Sequence, residues 1–137
     1  MSMDRQIVIH QPARLEIGAG SALKVGEWAD DAERVLVLTL PVLEPLLDKL
    51  GLPGTVKVIT DVPPEPDDLA LDRSLAVAAE FKPEIIIGLG GGSVMDIAKL
   101  VSVLWDGQQS LSDVIGPDKV NRSLSRLALI PTTAGTG

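Results

Sequence analysis

The chain has 137 residues, 45% hydrophobic and 23% charged, a length and balance that suit one soluble globular domain with a real core. A formal charge of −7, two Trp, one Phe and no Tyr exclude a nucleic-acid surface, which needs clustered Lys and Arg and aromatic platforms for bases. The absence of cysteine excludes disulfides, thiolate nucleophiles and cysteine metal sites, and no apolar run approaches the roughly 20 residues that cross a bilayer.

The N-terminus, MSMDRQIVIH, lacks the basic segment and long apolar stretch of a signal peptide, so a cytoplasmic protein with no membrane partner is expected. Ile7, Ile9, Leu15 and Ile17 lie in two short extended stretches around Gln11-Pro12-Ala13, a hairpin or a strand at the sheet edge, where proline is tolerated. His10, the single histidine, sits here; it reads as structural or solvent-facing rather than as a catalytic base, because no supporting group is visible. Gly18 to Ser21 ends this region, and a short helix is expected over Ala22 to Ala29 with Leu23 and Trp28 buried.

Arg34 to Thr39, RVLVLT, has the apolar continuity of a strand buried on both faces. Pro41, followed by Val42, Leu43, Leu46, Leu47 and Leu50, predicts a helix ended by Gly51, and Val56 to Thr60 a strand nearer an edge because Lys57 is polar. The prolines of Asp61 to Asp67, DVPPEPD, exclude helix and central strand; this stiff loop is either a wall of a ligand crevice or a rigid connection. Asp67 or Asp68 starts the next helix, with Leu71, Leu75, Ala78 and Ala79 as its apolar stripe and Lys82-Pro83 as its stop.

The central unit comes next. Glu84 to Leu89 predicts a buried strand, Gly90 to Gly92 a tight turn and Ser93 an N-cap, with Val94, Ile97, Ala98 and Val101 at the spacing of a buried helical face. A phosphate placed against residues 90 to 93 would meet unpaired N–H groups and the positive end of the helix dipole. Gly88 to Ser93, however, read G-L-G-G-G-S. That misses the last glycine of the dinucleotide fingerprint, the Gly-Lys-Ser/Thr of a P-loop is absent, and Asp113, near the distance of a ribose-binding acid, is not visibly at a strand end. A glycine-rich turn that only closes a sheet against a helix is the other reading.

Trp105 to Gln109 reads as a loop, Leu111 to Ile115 as one helical turn, and Arg126 to Ile130 as a strand running into Pro131 to Gly137, where a helix should begin. Strands alternating with helices predict an α/β fold, a Rossmann-like open parallel sheet with helices on both faces and short N-terminal edge strands.

GGGSVMDIAK at Gly90 to Lys99 and PTTAGTG at Pro131 to Gly137, in this order and spacing and with VPPEP at Val62 to Pro66, resemble the N-terminal domain of the iron-containing (group III) alcohol dehydrogenase family. The resemblance implies that residues 1–137 are a dinucleotide-binding domain of an oxidoreductase. Such an enzyme transfers a hydride between NAD or NADP and a small-molecule alcohol or carbonyl substrate. It also implies a following helical domain whose aspartate and three histidines hold Fe2+ or Zn2+; the chain reads as truncated before it, with no catalytic or metal-binding residue of its own and no activity alone. A homodimer is compatible with the resemblance.

By the same resemblance, Gly91, Gly92 and Ser93 are the pyrophosphate contacts and Thr132, Thr133 and Thr136 the second cofactor loop, although threonines that merely satisfy their own backbone are an equal reading. Asp96 and Lys99 match the family's D-x-x-K; Asp96 is either a capping-box partner of Ser93 or a cofactor contact. Two departures stand out. Leu40 follows Thr39 where many members using NAD carry an acid, which leaves NAD or NADP open, and Glu65 stands where the family often has asparagine. A noncatalytic nucleotide-binding module or pseudo-enzyme, and a purely structural fragment, are the alternative functions.

Overall fold

The computed structural model describes residues 24–65, 67–108 and 124–132. Expectations for the N-terminal strands, His10, Leu23, Asp113, the turn at 111–115, Thr133 and Thr136 lie outside these residues. Four parallel strands, β1 (Arg34–Leu38), β2 (Thr55–Ile59), β3 (Ile85–Gly90) and β4 (Arg126–Pro131), form one sheet in the order β2-β1-β3-β4.

The two central strands are apolar at successive positions because both of their faces are covered. Leu36, Leu38 and Ile86 face one cluster with Ile97, Ala98 and Val101, whereas Val35, Val37, Ile85, Ile87 and Leu89 face the other with Val25, Ala29 and Leu50. The first cluster is covered by helices α2 (Asp68–Phe81) and α3 (Gly92–Leu104), the second by helix α1 (Val25–Trp28) and a 3-10 helix (Pro41–Leu50). This division follows from the strand order. The chain moves one way from β1 to β2 and the other way from β2 through β3 to β4, so right-handed crossovers put their connections on opposite faces. The α/β class, parallel pairing and two-sided cover agree with the expectation from sequence.

Four local expectations need correction. Among the described residues the helix expected over Ala22 to Ala29 is Val25–Trp28, with Ala29 as its C-cap rather than its last residue. The segment 41–50 is a 3-10 helix because Pro45, inside it, lacks an N–H and its ring clashes with the carbonyl four residues back in an α-helix. There Leu43, Leu47 and Leu50 reach the core while Val42 is 79% exposed. In α2 the buried residues are Ala70, Leu71, Ser74 and Ala78, with Leu75 half-buried and Ala79 exposed, since position 79 has rotated about 100° past Ala78. Strand β3 runs one residue later than expected, to Gly90, because Gly90 pairs with Pro131.

Local signals elsewhere work as read. Asp67 is the N-cap of α2, accepting a hydrogen bond from the Ala70 N–H at 2.9 Å, and Gly51 closes the 3-10 helix in the left-handed conformation at φ 62°.

One buried tether was not foreseen. Ser125 accepts a hydrogen bond from Trp105 Nε1 at 2.9 Å and donates one to the Pro83 carbonyl at 2.7 Å, joining the ends of α3, α2 and β4. Ser125→Ala is expected to cost about 1–3 kcal/mol by leaving the buried Pro83 carbonyl and the half-buried Trp105 N–H unpaired. Urea unfolding checks the cost, and a changed Trp emission checks the place.

Candidate cofactor site

The carboxyl ends of the strands meet at one edge of the sheet. Thr39, just past β1, donates its N–H to the Ile59 carbonyl at 2.9 Å, and its buried Oγ1 donates to the Leu89 carbonyl at 2.7 Å. Thr132, just past β4, donates its N–H to the Gly90 carbonyl at 3.0 Å. These bonds set Thr132 beside the glycine turn. Thr39 is a site-edge residue that sequence reading passed over; its only signal was a hydroxyl closing an otherwise apolar strand. Thr39→Val is expected to destabilise by about 1–3 kcal/mol, because the buried Leu89 carbonyl loses its partner, and Thr39→Ser to restore most of it; thermal unfolding of both variants checks this.

The turn itself differs from the expected capping scheme. Gly91, not Ser93, is the N-cap of α3, with φ −87° and ψ −169°, and its carbonyl accepts the Met95 N–H at 3.1 Å. An extended glycine serves here because the N-cap carbonyl begins the helical ladder, while its missing side chain leaves the orphan N–H groups of the first turn to another partner. Ser93 is therefore the second helical residue and Asp96 lies too far along to form a capping box. Asp96 instead pairs with Lys99 at 3.8 Å across one turn, a half-exposed pair of about 0.2–0.5 kcal/mol.

Two glycines shape the cradle. A Cβ on Gly88 would lie 2.9 Å from the Ala98 Cβ and 3.2 Å from Leu129 Cδ2, so this glycine lets α3 settle directly on β3. A Cβ on Gly92 would meet nothing within 4 Å; it would stand in open space at the helix start. The first role was legible in principle, as a glycine inside a strand often marks close approach of another element.

Around this edge, the proline loop is anchored by buried Val62 and held to α2 by an ion pair of Arg73 with Asp61 at 3.3 Å. Among the described residues no group of three or more His, Cys, Asp or Glu is placed to hold a metal ion, so these residues do not fit a metal centre. Among the same residues no helix is long and apolar enough to cross a membrane.

The connections from β1 and β3 leave on opposite faces, which makes the edge between them the switch point of the sheet. A parallel sheet covered on both faces, with a glycine turn opening a helix at that point, defines a Rossmann-like α/β protein. The sequence profile described as iron-containing alcohol dehydrogenase matches residues 12–137, and the chain belongs to that family.

Relatives bear this out. Long-chain-alcohol dehydrogenase 1 of Geobacillus thermodenitrificans (strain NG80-2) is 36% identical over 120 residues, covering 77% of this chain and 29% of that protein. An alcohol dehydrogenase of Thermococcus barophilus is 28% identical over 138 residues, covering 90% and 36%. Among solved structures, an iron-containing alcohol dehydrogenase of Thermococcus thioreducens superposes with TM-score 0.69 at 26% identity, over 84% of this chain and 34% of that one. A 1,3-propanediol oxidoreductase shares the fold with TM-score 0.79 at 23% identity, over 93% and 36%. The chain thus spans no more than 36% of the length of any of these relatives.

Proposed function

We propose that this chain is the dinucleotide-binding part of an oxidoreductase that interconverts alcohols and carbonyl compounds with NAD or NADP. The observation that carries the reading is the glycine-capped start of α3 at the switch point, with Thr132 bonded beside it. Gly91, Gly92 and Ser93 would hold the pyrophosphate on backbone N–H groups, without needing a cationic side chain in a chain of net charge −7. Thr132, with Thr133 and Thr136, would supply hydroxyls to the other part of the nucleotide. Lys99, paired with Asp96, would offset part of a charge that opposes a phosphate.

The bound nicotinamide supplies hydride transfer; the residues of this chain bind and orient the nucleotide that carries it. The named activities of the relatives, long-chain-alcohol dehydrogenase and alcohol dehydrogenase, support an alcohol or aldehyde as substrate. Ligands for a divalent metal, Fe2+ or Zn2+, are assigned to residues outside the described ones.

Calorimetric titration of the chain with NAD+ and NADP+ tests the reading. Weak, saturable binding is expected, with stabilisation of about 2.7 kcal/mol at a ligand concentration one hundred times Kd. No heat and no shift in Tm with either dinucleotide overturns it.

A further inference from the structure

The glycine turn is steered from outside itself. Gly90, Gly91 and Gly92 have no side chains with which to pack, so their direction depends on how the last peptides of β3 are held. On the β4 side, the Gly90 carbonyl accepts the Thr132 N–H at 3.0 Å. On the β1 side, the paired register stops at Leu38↔Gly88, and one residue further the Leu89 carbonyl is met by a side chain, the Thr39 hydroxyl at 2.7 Å.

Thr39 is a rigid donor. It is fully buried, its N–H is bonded to the Ile59 carbonyl of β2, and its β-branched side chain is stiff at χ1. The Leu89 carbonyl shares one planar peptide with the Gly90 nitrogen, so the hydroxyl sets the tilt of the peptide that enters the turn. Being fully buried, the same hydroxyl meets no ligand.

We propose that Thr39 is a positioning residue of the cofactor site: acting through the Leu89 carbonyl, it aims the N–H groups of residues 91–93 and so raises dinucleotide affinity without touching the dinucleotide. This inference rests on the cofactor reading given above. Donors held in place beforehand need no ordering when the ligand arrives. A turn that wanders is competent for only part of the time, and Kd rises by the reciprocal of that fraction.

Ser125 provides a matched control. Its hydroxyl also donates to a carbonyl at 2.7 Å, that of Pro83, but at the opposite edge of the sheet, just before β3 and β4 begin. NAD+ and NADP+ are titrated into the unmodified chain and into Thr39→Val, Thr39→Ser and Ser125→Ala, each well below its Tm. Thr39→Val, which keeps the shape and loses the hydroxyl, should weaken binding of the tighter dinucleotide about fivefold or more. Thr39→Ser should restore it, and Ser125→Ala should leave it unchanged despite its own loss of stability.

Affinity unchanged in Thr39→Val, not restored in Thr39→Ser, or lowered equally in Ser125→Ala overturns the inference and leaves the cofactor reading intact. Binding of neither dinucleotide by the unmodified chain overturns the cofactor reading, and this inference with it. If circular dichroism shows Thr39→Val unfolded, all four proteins are titrated in trimethylamine N-oxide, which favours the folded state without replacing the hydroxyl. Failure to fold even there assigns the hydroxyl to the fold and overturns the inference too.

Discussion

Replacing Gly92 with proline should leave the fold intact and weaken dinucleotide binding by about tenfold or more. Proline is favoured at the first helical position, where its missing N–H is an orphan in any case and its fixed φ matches the helix. Gly91 already has the extended conformation that a residue before proline must take, and a Cβ at position 92 meets nothing within 4 Å. The substitution therefore deletes one N–H from the cradle with no clash within the fold. A hydrogen bond to a charged group is worth about 1.5–3 kcal/mol, which corresponds to roughly a tenfold to hundredfold change in Kd. Gly92→Ala separates the two roles further: alanine is the better helix former, so Tm should hold or rise while its Cβ intrudes where a phosphate would lie. Paired calorimetry and thermal unfolding check both variants. A loss of stability with unchanged affinity would show that the glycine serves only the turn.

Gly88→Val should have the opposite signature, a large loss of stability. Even the first carbon of a side chain here comes within 2.9 Å of the Ala98 Cβ, an atom fixed to the helix backbone with no rotamer to swing aside. Helix α3 must lift from β3, at a cost of about 2–3 kcal/mol for overpacking and a fall in Tm of roughly 5–15 °C. Because Gly91 and Gly92 begin the same helix, nucleotide affinity should fall as well, whereas Gly92→Pro lowers affinity alone. Urea unfolding followed by titration of the folded fraction distinguishes the two behaviours.

Much of the fold was legible because parallel strands buried on both sides leave a plain record in sequence: VLVL at 35–38 and IIIGLG at 85–90 have no polar position. The capping of α2 by Asp67 was legible too, since it depends on residues three apart. The 3-10 geometry of 41–50 had its signal in Pro45, a break inside an otherwise helical apolar pattern.

The cap of α3 was not legible, and the reason is specific. Pairing of Gly90 with Pro131, forty-one positions away in the sequence, carries β3 one residue into the glycine run and leaves Gly91, rather than Ser93, to begin the helix. That shift removes Asp96 from the capping role which local spacing had assigned to it.

By itself, then, the sequence determined the strand cores, the helix faces and the presence of two small-residue loops, because each of these depends on side chains within a turn or two. Only the tertiary structure decided that β1 and β3 are neighbours with their connections on opposite faces, that Thr132 bonds to Gly90, and that Thr39 closes the end of β3. Those facts arise from backbone hydrogen bonds between distant strands, which carry no local pattern, and they are what turn two separate motifs into one candidate site.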